Sequence, residues 1–153
     1  MNLTYLPLNR RALLKLHDGL IEYYRTPEET DEALEGFVQT LFTLVRNGKI
    51  LGNLIQSGEE PVGFVLYAAD SRDSDFSELP GHGTILALQV EASMRRQGIG
   101  SQIVRHVENE LRGKVAGFYV CSLGESRPFW EACGYRESKE KATTGEILFL
   151  KEK

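Results

Sequence analysis

Residues 84–113 read TILALQVEASMRRQGIGSQIVRHVENELRG. All of residues 85–90 except Gln89 are apolar, and such a run is typical of a strand that is covered on both faces. From Ser101 onwards, apolar residues recur every three or four positions, as in a helix that turns one face toward a core. The stretch therefore predicts a buried strand, a glycine-rich turn and an amphipathic helix.

The turn between them reads RRQGIGS, at residues 95–101. Its glycines let the backbone bend sharply and approach a ligand without a Cβ in the way. The first N–H groups of the helix lack partners within it, and with the positive end of the helix dipole they attract a phosphate. Arg95 and Arg96 add charge and forked donors. A tight structural turn with two solvated arginines is the alternative.

Two common phosphate-binding motifs do not fit this turn. A nucleoside triphosphate loop ends in Gly-Lys-Ser or Gly-Lys-Thr, which the turn lacks. A dinucleotide fingerprint has a third glycine, and Ile103 stands at that position. A phosphate bound here therefore belongs to another kind of ligand.

Two segments carry a resemblance to a known family. Arg-x-x-Gly-x-Gly, formed by Arg95, Gly98 and Gly100, follows a strand that ends Leu88-Gln89-Val90. It resembles the acyl-CoA-binding signature of the GNAT superfamily of N-acyltransferases. The second segment, PFWEACGY at residues 128–135, resembles that family's motif of two aromatic residues, Glu-x-x-Gly and a further aromatic residue. Their order and separation also fit, so the resemblance is specific over about residues 84–136.

The resemblance implies an α/β (α+β) fold. It consists of a single mixed, largely antiparallel sheet with a central splayed pair of parallel strands, flanked by helices. The hydrophobic pattern predicts the order β, α, α, β, β, β, α, β, α, β without repeats or a linker. We therefore expect one domain over residues 1–153.

The resemblance also implies acetyl-CoA as co-substrate, with no metal. The pantetheine arm would lie between the splayed strands, against the backbone of Leu88, Gln89 and Val90. The pyrophosphate would rest on the turn, whose residues are Arg95, Arg96, Gln97, Gly98, Ile99, Gly100 and Ser101. A primary amine, on a small molecule or as a lysine or N-terminal amine, would attack the thioester directly. Such a site acts mainly by holding two reactants together.

The proton-transfer groups depart from the family pattern. Ala87 stands where the family often has a glutamate base, and Gln89 cannot accept a proton at neutral pH. Glu91, His82 and Glu22 are the alternative bases. Each is also compatible with an ordinary surface position.

The acid that protonates the leaving thiolate is often a tyrosine, and Trp130 corresponds to it. An indole N–H is a donor but not a useful acid, so Trp130 would contact the cofactor or pack in the core. Leu123 replaces a frequent asparagine. These departures also allow a second function, a non-catalytic acyl-CoA-binding or sensing domain.

Composition restricts the other possibilities. The chain has 153 residues and a formal net charge of −4, which gives little support for nucleic-acid binding. Neither a signal peptide nor an apolar run of membrane-spanning length is present, so we expect a cytoplasmic protein without a membrane partner. Cys121 and Cys133 are expected to be reduced and buried.

The remaining segments predict the surroundings of the site. We expect strands at residues 2–8, 49–56, 61–69, 115–121 and 145–151, and helices at residues 10–24, 27–46 and 127–133. Thr26 would cap the second helix, and residues 137–144 carry no predicted element. A homodimer through the last strands is possible.

The acceptor pocket is predicted near an acidic loop at residues 70–83. Its acids are Asp70, Asp73, Asp75 and Glu78. The loop is either a solvated surface segment or a means of attracting a cationic acceptor. The first helices could contribute Glu22, Glu28 and Glu29, together with Tyr23 and Tyr24.

Overall fold

The computed structural model describes residues 2–74 and 76–153. Over these residues the chain forms seven strands and four helices: β1 (Thr4–Pro7), α1 (Arg10–Tyr24), α2 (Asp31–Arg46), β2 (Leu51–Ser57), β3 (Glu60–Ala69), β4 (Gly83–Val90), α3 (Ile99–Leu111), β5 (Gly117–Ser122), α4 (Arg127–Ala132), β6 (Arg136–Lys141) and β7 (Ile147–Glu152). The strands form one sheet in the order β1-β2-β3-β4-β5-β7-β6. Only β4 and β5 are parallel neighbours in the part described. The predicted mixed sheet with a central parallel pair is confirmed.

Helices cover both faces of the sheet, and β3 shows how the sequence divides them. Its side chains alternate, as the pleat of a strand requires. Phe64 and Leu66 pack with α1 and α2, whereas Val65 and Tyr67 pack with α3. Two apolar layers therefore enclose the sheet, which accounts for the near-continuous apolar sequence of the central strands.

The central pair of strands separates soon after it begins. β4 pairs with β5 only at Gly83 with Phe118 and at Thr84 with Tyr119. On its other edge, β4 pairs with β3 as far as Val90, with a bulge at the step between Ile85 and Ala87. A bulge adds a residue and bends its strand. The second half of β4 thus has a free edge toward β5.

The helix boundaries show one wrong prediction. The side chain of Asn9 caps α1 by accepting the N–H of Ala12 at 2.9 Å. The cap of α2 is Thr30, which accepts the N–H of Ala33 at 3.0 Å, and not Thr26. Residues 26–29 instead form a turn, in which the N–H of Glu29 donates to the carbonyl of Thr26 at 3.2 Å. The helix begins after it, and Asp31 and Glu32 in its first turn stabilise that N-terminus.

The end of the chain contains a strand that the sequence did not predict. Residues 136–141 form β6 at the edge of the sheet, paired with β7. The segment reads RESKEK, and a charged edge strand of this kind resists pairing with other chains. β5 begins at Gly117 rather than at Val115, which is buried in the turn before it.

A histidine joins the first two helices. His17 of α1 lies 2.6 Å from Glu35 of α2 through Nε2, and 2.9 Å from Asp18 through Nδ1. Hydrogen bonds to Asp18 and Glu35 raise the pKa of His17 above its usual 6.5. The protonated imidazole therefore stabilises the contact between α1 and α2.

We expect the stability to fall as pH rises through the raised pKa of His17. Protonated His17 contributes fully to the free energy of unfolding below pH 6.5, the usual pKa of histidine. This contribution is lost as the pH rises above the pKa of His17 in the folded protein. Both carboxylates are exposed, so the loss should be at most about 1 kcal/mol. Urea denaturation at several pH values measures it. His17→Gln should remove this part of the pH dependence, and an unchanged profile would contradict the assignment.

Candidate active site

A cavity of about 700 Å³ opens where β4 and β5 separate. We call it the wedge cavity. Its lining includes Tyr23 and Tyr24 of α1, Leu86 of β4 and Cys121 of β5, with further walls from α2 and from loops near residues 78 and 144. It therefore lies along the free edge of β4, on the side that α1 and α2 cover.

Two tyrosine hydroxyls reach the backbone of β4 from this cavity. Tyr24 donates its hydroxyl proton to the carbonyl oxygen of Leu86 at 3.2 Å. Tyr23 instead accepts the N–H of Leu88 at 3.4 Å. The rings pack edge to face with their centroids 4.9 Å apart, and burial raises the pKa of both hydroxyls. Both tyrosines therefore stay protonated at neutral pH.

Three carboxylates line the same cavity, from Glu78, Glu125 and Glu146. Glu78 accepts hydrogen bonds from the N–H and the hydroxyl of Thr143, which ties the loop before β4 to the turn before β7. Burial, and then Glu78 and Glu146, raise the pKa of the Cys121 thiol to about 12. The cavity thus disfavours anions, and Cys121 is no thiolate nucleophile at neutral pH.

The acidic loop is not the solvated segment that its composition suggests. Asp70 is buried, at 3% exposure, and its Oδ2 accepts the hydroxyl of Tyr119 at 2.6 Å. The same oxygen accepts the N–H groups of Glu78 and Leu79. Asp70 therefore fixes the loop that carries Glu78, while Asp73 is exposed. Asp75 lies outside the described residues.

The glycine-rich turn presents backbone donors to solvent. Gly98 caps α3 in the left-handed conformation, with φ of 77°, and no side chain caps the first N–H groups of that helix. A Cβ on Gly98 would meet no atom within 4 Å, whereas one on Gly100 would lie 2.9 Å from Cε1 of Phe129. Arg95 donates Nε to the carbonyl of Val90 at 3.0 Å. The turn thus suits an anion approaching along the helix axis.

The other residues predicted for a cofactor adjoin this turn. Arg95, Arg96 and Gln97 are exposed, Ile99 is buried in the core, and Ser101 lies 3.8 Å from the sulfur of Cys133. Gln89 has a buried Oε1 without a hydrogen-bond partner among the described residues. Leu88 and Val90 are half-buried against the core. The groups that a ligand could contact here are therefore the backbone of Leu88 and of the turn, together with the exposed side chains of Arg95 and Arg96.

The structure brings none of the three predicted bases into the wedge cavity. Glu22 and Glu91 are exposed and do not line it. His82 precedes β4 at the closed end of the strand pair and lines a different cavity, of about 620 Å³. The carboxylates that do line the wedge include Glu125 and Glu146, which sequence reasoning missed because they follow β5 and precede β7, far along the chain from β4.

Trp130 lies in the core. It is 7% exposed and packs edge to face against Phe129 and Tyr135. It does not line the wedge cavity, in which Leu123 is present and 58% exposed. Of the two roles predicted for Trp130, the structure favours the core aromatic.

Burial raises the pKa of both cysteine thiols. Cys121 and Cys133 are both free, and they are half-buried where the sequence predicted buried side chains. Residues 2–74 and 76–153 contain no group of three or more metal-ligating side chains. No helix within the same residues is long and apolar enough to cross a bilayer.

Comparison with known proteins identifies one family. The sequence model described as "Acetyltransferase (GNAT) family" matches residues 13–135. No curated protein matches the chain. The family match covers the glycine-rich turn and most of the residues that line the wedge cavity, but not Thr143, Thr144 and Glu146.

Solved structures share the fold at low identity. An acetyltransferase from Thermus thermophilus has a TM-score of 0.73 at 18% identity, covering 100% of this chain and 98% of its own. A paia N-acetyltransferase from Thermoplasma acidophilum, in complex with coenzyme A, has a TM-score of 0.74 at 12% identity, covering 100% of both chains. An aminoglycoside acetyltransferase in complex with coenzyme A has a TM-score of 0.76 at 15% identity, covering 99% of this chain and 95% of its own. At these identities, the similarity establishes a shared fold and nothing more specific.

Proposed function

The chain belongs to the acetyltransferase (GNAT) family, and from this premise we propose that it transfers an acetyl group from acetyl-CoA to a cationic small-molecule amine. The prediction of an acetyltransferase is confirmed at the level of the family. One observation supports a site for this reaction: the wedge cavity opens at the free edge of β4, and the chain continues from the same strand to the glycine-rich turn that starts α3. Acetyl-CoA, when bound, supplies the activated thioester.

Backbone groups would hold the donor. The uncapped N–H groups at the start of α3 suit the pyrophosphate, with Arg95 and Arg96 adding positive charge. At the free edge of β4, the carbonyl of Leu86 could accept a second hydrogen bond from the pantetheine arm, and the N–H of Leu88 could donate to the thioester carbonyl; in this structure they bond the hydroxyls of Tyr24 and Tyr23. The buried Oε1 of Gln89 is a further acceptor for an N–H donor on a ligand that lies along β4. Solved structures of the same fold contain coenzyme A, which supports acetyl-CoA as the donor.

Charge and aromatic side chains favour a cationic acceptor. Glu78, Glu125 and Glu146 line the wedge together with Tyr23 and Phe37, and an ammonium group is attracted both to carboxylates and to ring faces. An aminoglycoside acetyltransferase structure with ribostamycin and coenzyme A supports a small-molecule amine. A lysine side chain or an N-terminal amine remains the second acceptor class.

The base is proposed to be one of the wedge carboxylates. Glu146 is half-buried and close enough to raise the pKa of Tyr24 and of Cys121. Glu146 would attract the ammonium form and take up one of its protons, directly or through a water, which frees the nitrogen lone pair for attack. Glu22, Glu91 and His82 have no such position.

Titration calorimetry with acetyl-CoA and with CoA tests the donor half of the proposal. Thiol release with a panel of diamines, aminoglycosides and lysine peptides then tests the acceptor half. Binding without turnover on any amine would favour the alternative, a non-catalytic acyl-CoA-binding domain. Absence of binding would contradict both.

We expect Glu146→Gln to raise the KM for a cationic amine about tenfold, because a desolvated ion pair is lost. The KM for acetyl-CoA should stay the same. Glu59→Gln, in the exposed turn between β2 and β3, makes the same charge change away from the wedge and serves as the control. Equal effects of the two substitutions would contradict a specific role for Glu146.

The compartment and the oligomeric state remain predictions. The free thiols of Cys121 and Cys133 support a reducing compartment such as the cytoplasm. A homodimer through the last strands would need β6, whose charged side chains disfavour edge pairing. Light scattering measures the oligomeric state directly.

A further inference from the structure

We propose that the hydroxyl of Tyr23 is the acid that protonates the leaving thiolate, an inference that rests on the proposed acetyl transfer. The position that often carries the acid in the resembling family holds Trp130, which is buried among Phe129 and Tyr135. An indole N–H does not serve as an acid. A proton donor, if the chain has one, must therefore come from another element.

Tyr23 has the geometry for that role. It lies at the C-terminal end of α1 and lines the wedge cavity, with its hydroxyl at the free edge of β4. Its ring packs edge to face against Tyr24 and Phe64, with centroids 4.9 and 5.8 Å away. The side chain is still 40% exposed, so a ligand can reach it.

The two neighbouring tyrosines differ in what their protons do. Tyr24 donates its proton to the carbonyl of Leu86. Tyr23 acts as an acceptor toward the N–H of Leu88, so its own proton engages no hydrogen bond that the described residues show. Of these two tyrosines, Tyr23 is therefore the one whose hydroxyl proton is available for a ligand.

The bond from Leu88 to Tyr23 is also easily exchanged. At 3.4 Å it is longer than the 2.7–3.2 Å of an ordinary N–H···O bond. A thioester carbonyl oxygen is an alternative acceptor for this N–H, and it gains from the bond as negative charge develops. Because the sulfur is bonded to the same carbon, a thioester held by this N–H would have its leaving group within reach of the Tyr23 hydroxyl.

The Tyr23 hydroxyl keeps its proton at neutral pH, as a proton donor must. Burial raises the pKa of the hydroxyl above the usual 10.0, and a smaller contribution from Glu146 acts in the same direction. The backbone bond from Leu88 opposes them. The hydroxyl is therefore fully protonated at neutral pH and acts as an acid rather than as a base.

The proton balance closes without another reactant. The amine nitrogen forms the C–N bond, the C–S bond breaks, and its electron pair goes to sulfur. Tyr23 gives its proton to sulfur, and the phenolate regains a proton from the nitrogen as the amide forms, through water or Glu146. A cationic acceptor first loses one further proton, which passes through Glu146 to solvent. The products are an amide and the free thiol of CoA.

The test titrates the thiol of bound CoA. Carbon-13 NMR of CoA labelled at the carbon that bears sulfur reports its ionisation without any amine substrate. A hydroxyl that donates to the thiolate lowers the thiol pKa, so Tyr23→Phe should raise it by about one unit, a tenfold change in the ionisation equilibrium. Calorimetry should show that CoA affinity changes by less than about threefold.

Tyr24→Phe is the matched control, since it removes a hydroxyl from the adjacent ring whose proton already bonds Leu86. It should leave the pKa of the bound thiol unchanged. Once an acceptor amine is known, Tyr23→Phe should lower kcat about 100-fold with little effect on the KM for acetyl-CoA.

Three results distinguish the role of Tyr23 from acetyl transfer itself. CoA binding with an unshifted thiol pKa in Tyr23→Phe would overturn the role of Tyr23 and leave acetyl transfer standing. An equal shift in Tyr24→Phe would overturn it as well. No binding of CoA to the unsubstituted protein would overturn the proposed function itself.

Discussion

Gly98→Trp should weaken acetyl-CoA binding by at least about 100-fold. A side chain at Gly98 points into open space at the start of α3, where the pyrophosphate is proposed to lie. The indole would block the uncapped N–H groups. Two lost hydrogen bonds to a charged phosphate, each worth about 1.5–3 kcal/mol, account for a factor of this size. Titration calorimetry with acetyl-CoA measures it.

Gly48→Trp separates this blockage from backbone strain. Gly48 also has a left-handed conformation, with φ of 75°, and open space around its Cβ position. Both substitutions carry a similar conformational cost of about 1–2 kcal/mol, but Gly48 follows α2, away from α3. Equal CoA affinities in the two variants would contradict a phosphate site at Gly98.

Asp70→Ala should lower the free energy of unfolding by about 3 kcal/mol. It leaves the Tyr119 hydroxyl and the N–H groups of Glu78 and Leu79 without their acceptor, and an unsatisfied buried donor costs about 1–3 kcal/mol. Urea denaturation measures the change. Asp73→Ala, exposed in the same loop, should change the free energy by less than about 0.5 kcal/mol.

The contribution of Asp70 should also depend on pH. Burial raises the pKa of the carboxyl, but hydrogen bonds from Tyr119, Ser77 and the loop backbone outweigh burial and hold the pKa below the usual 3.8. The stabilisation is therefore present above 3.8 and is lost as pH falls below it. Acid denaturation that is equally steep in Asp70→Ala would contradict this assignment.

The sequence predicted the central unit well because its determinants are local. The strand, the turn and the helix at residues 84–113 depend on apolar periodicity and on glycine positions, and the structure has all three. The left-handed Gly98 explains why glycine is needed at the helix cap. The family motif lies in the same residues, so fold and family were predicted together.

The missed features depend on contacts that are distant in sequence. The local sequence around Asp70 indicates a surface carboxylate. In the structure Asp70 is buried, because it bonds the hydroxyl of Tyr119, which lies 49 residues further along the chain. β6 carries no apolar alternation, and only its pairing with β7 makes it a strand. The carboxylates of the wedge come from separate loops, and no local pattern indicates that Glu78 and Glu146 line the same cavity. Such features follow from the assembled sheet.

The free edge of β4 has a consequence for how this enzyme can diversify. On the proposed function, the donor binds mainly to main-chain groups, which every amino-acid sequence with this fold supplies. The acceptor meets side chains from loops and from the first two helices. Mutations can therefore replace the acceptor specificity while donor binding persists, so new amine substrates become accessible in small evolutionary steps. A fold shared at 12–18% identity is compatible with that history.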